Sequence, residues 1–130
     1  MEKFLVQSHN ALKAGPHIDF HLQKGDVFES WVFPKALPKE LGERRLAIES
    51  NQHSLSCGNF EGVQIIDGYG AGTMVNVDRG FYDVVKVKGD DQFSVRVQGT
   101  LVNGTFCFVK LKNPRFRNGG RVSWLVIRNN

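Results

Sequence analysis

No stretch of this 130-residue sequence approaches the ~20 consecutive apolar residues of a membrane-spanning helix, so a helical membrane protein is excluded and no membrane partner is expected. The N-terminus, Met1-Glu2-Lys3-Phe4-Leu5-Val6, lacks the organisation of a secretory signal, because polar residues from Gln7 onward cut its apolar run short. The chain is therefore expected in the cytoplasm. Cysteine is scarce: Cys57 and Cys107 lie far apart, form no metal-type pair, and in a reducing compartment read as enclosed thiols rather than a disulfide. Internal repeats, low-complexity tracts and linkers are missing, which leaves residues 1–130 as one compact domain. Fourteen glycines are more than a helical bundle tolerates.

Acid is absent from residues 92–130, which carry Arg96, Lys110, Lys112, Arg115, Arg117, Arg121 and Arg128, whereas residues 1–91 hold 10 basic and 13 acidic side chains. An unscreened basic third steers polyanions such as nucleic acid toward itself, although a solvated basic face without a partner has the same composition.

What is present has mostly a period of two. Phe81–Lys88, Phe93–Gln98, Thr105–Leu111 and Val122–Ile127 crowd or alternate β-branched and aromatic residues as half-buried strands do, and Val27–Phe33 opens the body of the fold in the same way. Gly89-Asp90-Asp91 and the Asn103-Gly104 pair read as hairpin turns, as do Asn113-Pro114 and Asn118-Gly119-Gly120, making the second half an antiparallel meander. The fold class is mainly β, a barrel or sandwich. Only Lys39–Arg44 looks helical, and Gly42 weakens that reading. The run Gly68-Tyr69-Gly70-Ala71-Gly72 has no Gly-x-x-x-x-Gly-Lys pattern and leads into the strand-like Thr73–Val77, so it reads as a tight turn. Trp31 and Trp124 read as core.

The residues that carry chemistry are the histidines. In His17-Ile18-Asp19-Phe20-His21-Leu22 the polar side chains occupy odd positions, so on a strand they share one face while Ile18, Phe20 and Leu22 enter the core. Two imidazoles and a carboxylate make a mixed nitrogen/oxygen site suited to Mn²⁺, Fe²⁺ or Zn²⁺. The same alternation also describes the wet side of an edge strand. A third arrangement is a non-haem iron triad, in which His17 and Asp19 are joined by the later His53.

Taken in order, Val6-Gln7-Ser8-His9, His17–Leu22, Ser30-Trp31-Val32-Phe33-Pro34-Lys35, Arg45-Leu46-Ala47-Ile48, His53-Ser54-Leu55, Phe60-Glu61-Gly62, Gly68–Val75, Asp78-Arg79-Gly80 and Trp124–Ile127 resemble the 3′-phosphoesterase domain of bacterial and archaeal DNA ligase D proteins. The resemblance covers nearly the whole chain and implies a compact single-domain antiparallel β-barrel with at most short helical segments. It implies a Mn²⁺-dependent enzyme of DNA repair, with other divalent ions such as Zn²⁺ compatible. Such an enzyme removes a terminal ribonucleoside and then the remaining 3′-phosphate from DNA or RNA-tailed DNA 3′ ends, leaving a 3′-hydroxyl. Carried over by position, His9, His17 and Asp19 match metal ligands, Lys35, Arg45 and His53 match phosphate-contacting residues, and Gln7 matches a polar neighbour of the first histidine. His53 fits either a phosphate contact or a proton donor to the leaving oxygen.

Three positions depart from the family pattern. His21 stands where members usually have arginine, which makes it a weaker phosphate-binding group. Cys57 replaces a usual tyrosine, and residues 10–16 make the spacing between His9 and His17 about two residues longer than usual. Longer members carry an N-terminal arm and further domains, so this chain is expected to act beside a separate ligase or end-joining protein. The alternative these departures support is a catalytically weakened barrel that binds nucleic acid ends or a repair partner without cleavage.

Overall fold

The computed structural model describes residues 2–68, 71–112 and 120–130. Its strands are β1 (Glu2–Ala11), β2 (Gly15–Lys24), β3 (Val27–Phe33), β4 (Arg44–Glu49), β5 (His53–Ser54), β6 (Val63–Ile66), β7 (Gly72–Lys88), β8 (Gln92–Gln98), β9 (Asn103–Leu111) and β10 (Ser123–Arg128). The pairing order β1-β2-β3-β4-β10-β9-β8-β7 returns to β1 through a β1–β7 ladder, closing an eight-stranded antiparallel barrel. Closure removes the open edges that an eight-stranded sheet otherwise exposes. β5 adds to β3 outside this ring and β6 adds to β7.

Alternation sets the core. Phe4 and Val6 of β1, Phe20 and Leu22 of β2, Trp31 and Phe33 of β3, and Ala47, Val95, Val97, Phe106, Phe108, Trp124 and Val126 from the remaining wall point inward and are buried. Phe20 sits among Phe4, Phe33, Phe106 and Phe108 at ring-centroid distances of 5.9–6.3 Å. Such offset and edge contacts add to the burial term that holds the barrel together.

Three local features differ from the sequence reading. Lys39–Glu43 is a turn closed by the Glu43 amide on the Glu40 carbonyl, with Gly42 at φ 82° ending any helical path. The only helical element among the described residues is a single 3₁₀ turn at Leu55–Gly58, capped by Ser54 Oγ on the Ser56 amide. Asn103 and Gly104 belong to β9, and the preceding hairpin turn is formed by residues 99–102. That turn is organised by Asp78, whose carboxylate accepts the amides of Thr100, Leu101 and Val102 at 3.0, 2.8 and 2.7 Å. A distant carboxylate has taken the role expected of the local Asn-Gly pair. Tyr69 and Gly70 of the glycine run, the Asn113-Pro114 and Asn118-Gly119 turns, Arg115 and Arg117 lie outside the described residues. Among the described residues no helix is long and apolar enough to cross a membrane.

The β1–β7 ladder contains a bulge at Val77, since Val6 pairs with Asp78 and Gln7 with Asn76. Without it, Asn76 and Asp78 share a face. With it, Asp78 stands on the inward side with Val6, and Asn76 stands on the outer side with Gln7.

Candidate metal centre on the outer barrel wall

The side chains opposite the core, on the outer face of β1, β2 and β3, are unusually enclosed. Leu5, Gln7, His9, His21, Phe28 and Ser30 are all buried, although they point away from the barrel interior. Part of their cover is the segment from β5 through Phe60. The Gln7 amide donates to the Cys57 carbonyl at 3.3 Å, Asn76 Nδ2 donates to the Gly58 and Phe60 carbonyls at 2.9 and 3.2 Å, and Arg79 donates to Gly58 at 3.0 Å. These bonds satisfy carbonyls that a short helical turn leaves open. Gly58 packs so closely that a Cβ there would lie 2.6 Å from Leu5 Cδ2.

Strand register brings the expected ligands together. His9 pairs with His17 and Gln7 with Asp19 across β1 and β2, which puts one carboxylate diagonal to one imidazole and two positions from the other on the same face. His9 Nδ1 lies 3.5 Å from Asp19 Oδ2, His17 Nε2 lies 3.3 Å from Asp19 Oδ1, and the two rings meet edge to face at 4.6 Å. One donor atom from each residue falls within 4.8 Å of the other two. The histidine joining His17 and Asp19 is thus the earlier His9; His53 belongs to a different contact. The longer loop after β1 does not displace His9, because β1 runs on to Ala11 and β2 begins at Gly15.

The hydrogen bonding of His17 tests whether this trio suits a cation. Its Nδ1 faces the Gly15 carbonyl at 3.2 Å, an acceptor, so in the neutral ring Nδ1 carries the proton and Nε2 turns a lone pair toward the Asp19 carboxylate. Two acceptors facing each other require a positive charge between them. Without a cation the ring itself supplies it: the bond to Asp19, opposed by burial and aided by the Asp19 charge and the Gly15 carbonyl, raises the His17 pKa. A divalent ion fits the same arrangement, with the carbonyl orienting a ligating ring from behind.

Behind the trio lies a second set. His21 is 1% exposed, with Nε2 2.8 Å from Gln7 Oε1 and Nδ1 2.6 Å from Ser30 Oγ; Ser30 Oγ in turn meets His53 Nδ1 at 3.0 Å. Burial, reinforced by His53 and countered by the Asp19 charge, lowers His21 to about 4, so at neutral pH the ring is uncharged. His21, expected beside the phosphate, therefore has both nitrogens engaged within the wall. Cys57 is half-buried, and burial together with the Asp19 charge raises its pKa, which keeps it a thiol rather than a nucleophile. Cys107 is buried.

Lys35 and Arg45 do not join either set. Lys35 is exposed just beyond β3. Arg45 shares the inward side of β4 with Ala47, its Nη2 bonds Glu43 Oε2 at 2.8 Å, and its buried Nε has no hydrogen-bond partner among the described residues. The carboxyl-terminal cations are also more engaged than their sequence suggests. Lys112 pairs with Asp91 at 2.5 Å, Lys110 lies over the Trp124 ring, and Arg128 lies over Phe106 while donating to the Asn103 carbonyl. Ser30 and Asn76 hold the site together, yet nothing in the sequence marks them out as site residues, since β3 also carries Glu29 and β7 several other polar side chains.

Fold and site define a small closed β-barrel carrying a two-histidine, one-carboxylate centre on its outer wall. Residues 7–110 match the model of the DNA Ligase D 3′-phosphoesterase domain, and the chain belongs to that family. It is similar to the multifunctional non-homologous end joining protein LigD of Mycobacterium bovis, with 33% identity over 116 residues covering 87% of this chain and 15% of that protein. It is 30% identical over 125 residues to the protein of the same name from Mycolicibacterium smegmatis, covering 88% and 16% respectively. With the Pseudomonas aeruginosa protein of that name it shares 35% identity over 78 residues, 60% of this chain and 9% of that one. The chain thus spans about 15% of the length of the curated relatives it matches most fully.

Proposed function

We propose that this chain is a metal-dependent 3′-phosphoesterase of DNA repair, removing a terminal ribonucleoside and the remaining 3′-phosphate from DNA or DNA/RNA ends to leave a 3′-hydroxyl. Family membership supports the reaction class, and the observation that carries the reading is the His9–His17–Asp19 trio, with the His17 ring oriented by the Gly15 carbonyl. His9, His17 and Asp19 would hold the ion, for which Mn²⁺ is the first candidate. Such an ion polarises a phosphoryl oxygen and acidifies a bound water.

The chain's own groups supply the rest. Lys35, exposed just beyond β3, is free to neutralise phosphate charge, whereas Arg45 can grip phosphate only by leaving both its Glu43 partner and the inward side of β4. His53 supplies an imidazole to the phosphoryl group. The partners of the reaction are DNA or RNA-tailed 3′ ends, with ligation left to another domain or protein.

The test is Mn²⁺-dependent processing of a primer–template bearing one 3′-terminal ribonucleotide or a 3′-phosphate. The expected result is conversion to a 3′-hydroxyl, falling at least about 100-fold in His17→Ala, since loss of a ligand should cost no less than the upper range for loss of a group that only orients one. The second reading is a binding module without cleavage, favoured by the engagement of both His21 nitrogens inside the wall. Absence of conversion together with tight, salt-sensitive DNA binding would establish it in place of the enzyme.

A further inference from the structure

The hydrogen bonds behind the trio have a direction, and two backbone carbonyls set it. Asn76 faces the carbonyls of Gly58 and Phe60, which only accept, so its Nδ2 lies on that side and its Oδ1 faces Gln7. Gln7 then donates from Nε2 to Asn76 Oδ1 at 2.9 Å and to the Cys57 carbonyl, which leaves Oε1 facing His21. An amide oxygen accepts, so His21 carries its proton on Nε2. Buried, and bonded only to an amide oxygen and a hydroxyl with no carboxylate at either nitrogen, the ring offers a lone pair at Nδ1, and the Ser30 hydroxyl must donate there. Ser30 has a single proton. Having given it to His21, its oxygen can only accept from His53 Nδ1.

We propose that Asn76, Gln7, His21 and Ser30 form a positioning relay that fixes His53 as the Nδ1–H tautomer, so that its Nε2 presents a lone pair. His53 Nδ1 is taken by Ser30, and Nε2 has no hydrogen-bond partner among the described residues. An unconstrained histidine side chain favours the Nε2–H tautomer, so the relay selects the other form, which accepts a hydrogen bond or a proton at Nε2. The proposal assigns His21 a role different from a phosphate clamp: it transmits the orientation of the covering segment's carbonyls to a second imidazole. Only the use of that lone pair on a phosphoryl substrate rests on the phosphoesterase reading; the tautomer itself does not.

The experiment is a long-range ¹H–¹⁵N spectrum of the metal-free full chain labelled at histidine, recorded where the rings are neutral, followed by the same spectrum of Ser30→Ala and Ser30→Thr. The wild type is expected to show a pyrrole-type Nδ1 and pyridine-type Nε2 for His53, and the reverse for His21. Ser30→Ala should shift His53 toward the Nε2–H form, and Ser30→Thr, which keeps the hydroxyl, should restore it. Phosphate release should follow, with kcat reduced about tenfold in Ser30→Ala, KM unchanged, and recovery in Ser30→Thr. A wild-type His53 already protonated on Nε2 would overturn the relay whatever the variants do. So would a folded Ser30→Ala chain with an unchanged tautomer. The expected tautomer in a chain that releases no phosphate would keep the relay and reject the phosphoesterase reading.

Discussion

The two faces of β1, β2 and β3 are both enclosed, but by different means. Inward, Phe4, Phe20, Phe33 and their neighbours exclude water by packing, where any apolar side chain of similar volume and shape is tolerated. Outward, Gln7, His21 and Ser30 are equally dry, yet each polar atom is matched to a specific partner, so shape alone does not suffice. One strand serves both purposes because its period is two. Stability is concentrated on one face and chemistry on the other, separated by the thickness of a single backbone.

Adjacent residues test that separation most sharply. Phe20→Ala should lower unfolding free energy by about 3–5 kcal/mol, the usual cost of emptying an aromatic core position, as a fall in the urea midpoint. Asp19→Asn, one residue away, should change the unfolding free energy by less than about 1 kcal/mol while abolishing Mn²⁺ binding, measured by calorimetry. A large stability loss in Asp19→Asn would show that the faces are not independent.

Asp78 offers a smaller test on β7, the strand paired with β1. Burial opposes its charge, but the amides of Val102, Thr100, Leu101 and Arg79 outweigh that cost and hold its carboxyl below the usual range. A depressed carboxyl pKa gives stability that is complete above the ordinary value near 3.8 and is lost as pH falls below it through the folded value. Asp78→Asn should therefore cost about 1–3 kcal/mol at pH 7 and flatten the acid limb of the urea midpoint below pH 3.8.

Gly58→Ala should have a small, local effect on stability, about 1 kcal/mol, because the crowded atom is the flexible end of Leu5. Its signature is faster amide exchange at Asn59 and Phe60, whose amides bond the Ser56 and Gly58 carbonyls, with exchange in the inner face of β2 unchanged.

The sequence made some of this architecture legible and hid the rest for physical reasons. Odd-position His17, Asp19 and His21 were readable because β2 alternates apolar and polar residues cleanly. β1 was not, since burial of Leu5 and Gln7 as well as Phe4 and Val6 erases the contrast on which a period-two reading depends. Ser30 and Asn76 act through hydrogen-bond partners 23 and 69 positions away, distances over which local pattern carries no information. The 99–102 turn was misread for the same reason, its organiser being Asp78 in another strand.

The bulge at Val77 has a consequence for how such a chain can change over generations. Substitution on the outer wall leaves the packed core on the opposite face of the same strands untouched. Drawing Val77 into regular pairing would return Asn76 and Asp78 to one side of the strand, taking either the covering segment or the hairpin turn from its anchor. Polar residues on this wall can change only together with their hydrogen-bond partners, and both anchors work only while Val77 is held out of the ladder.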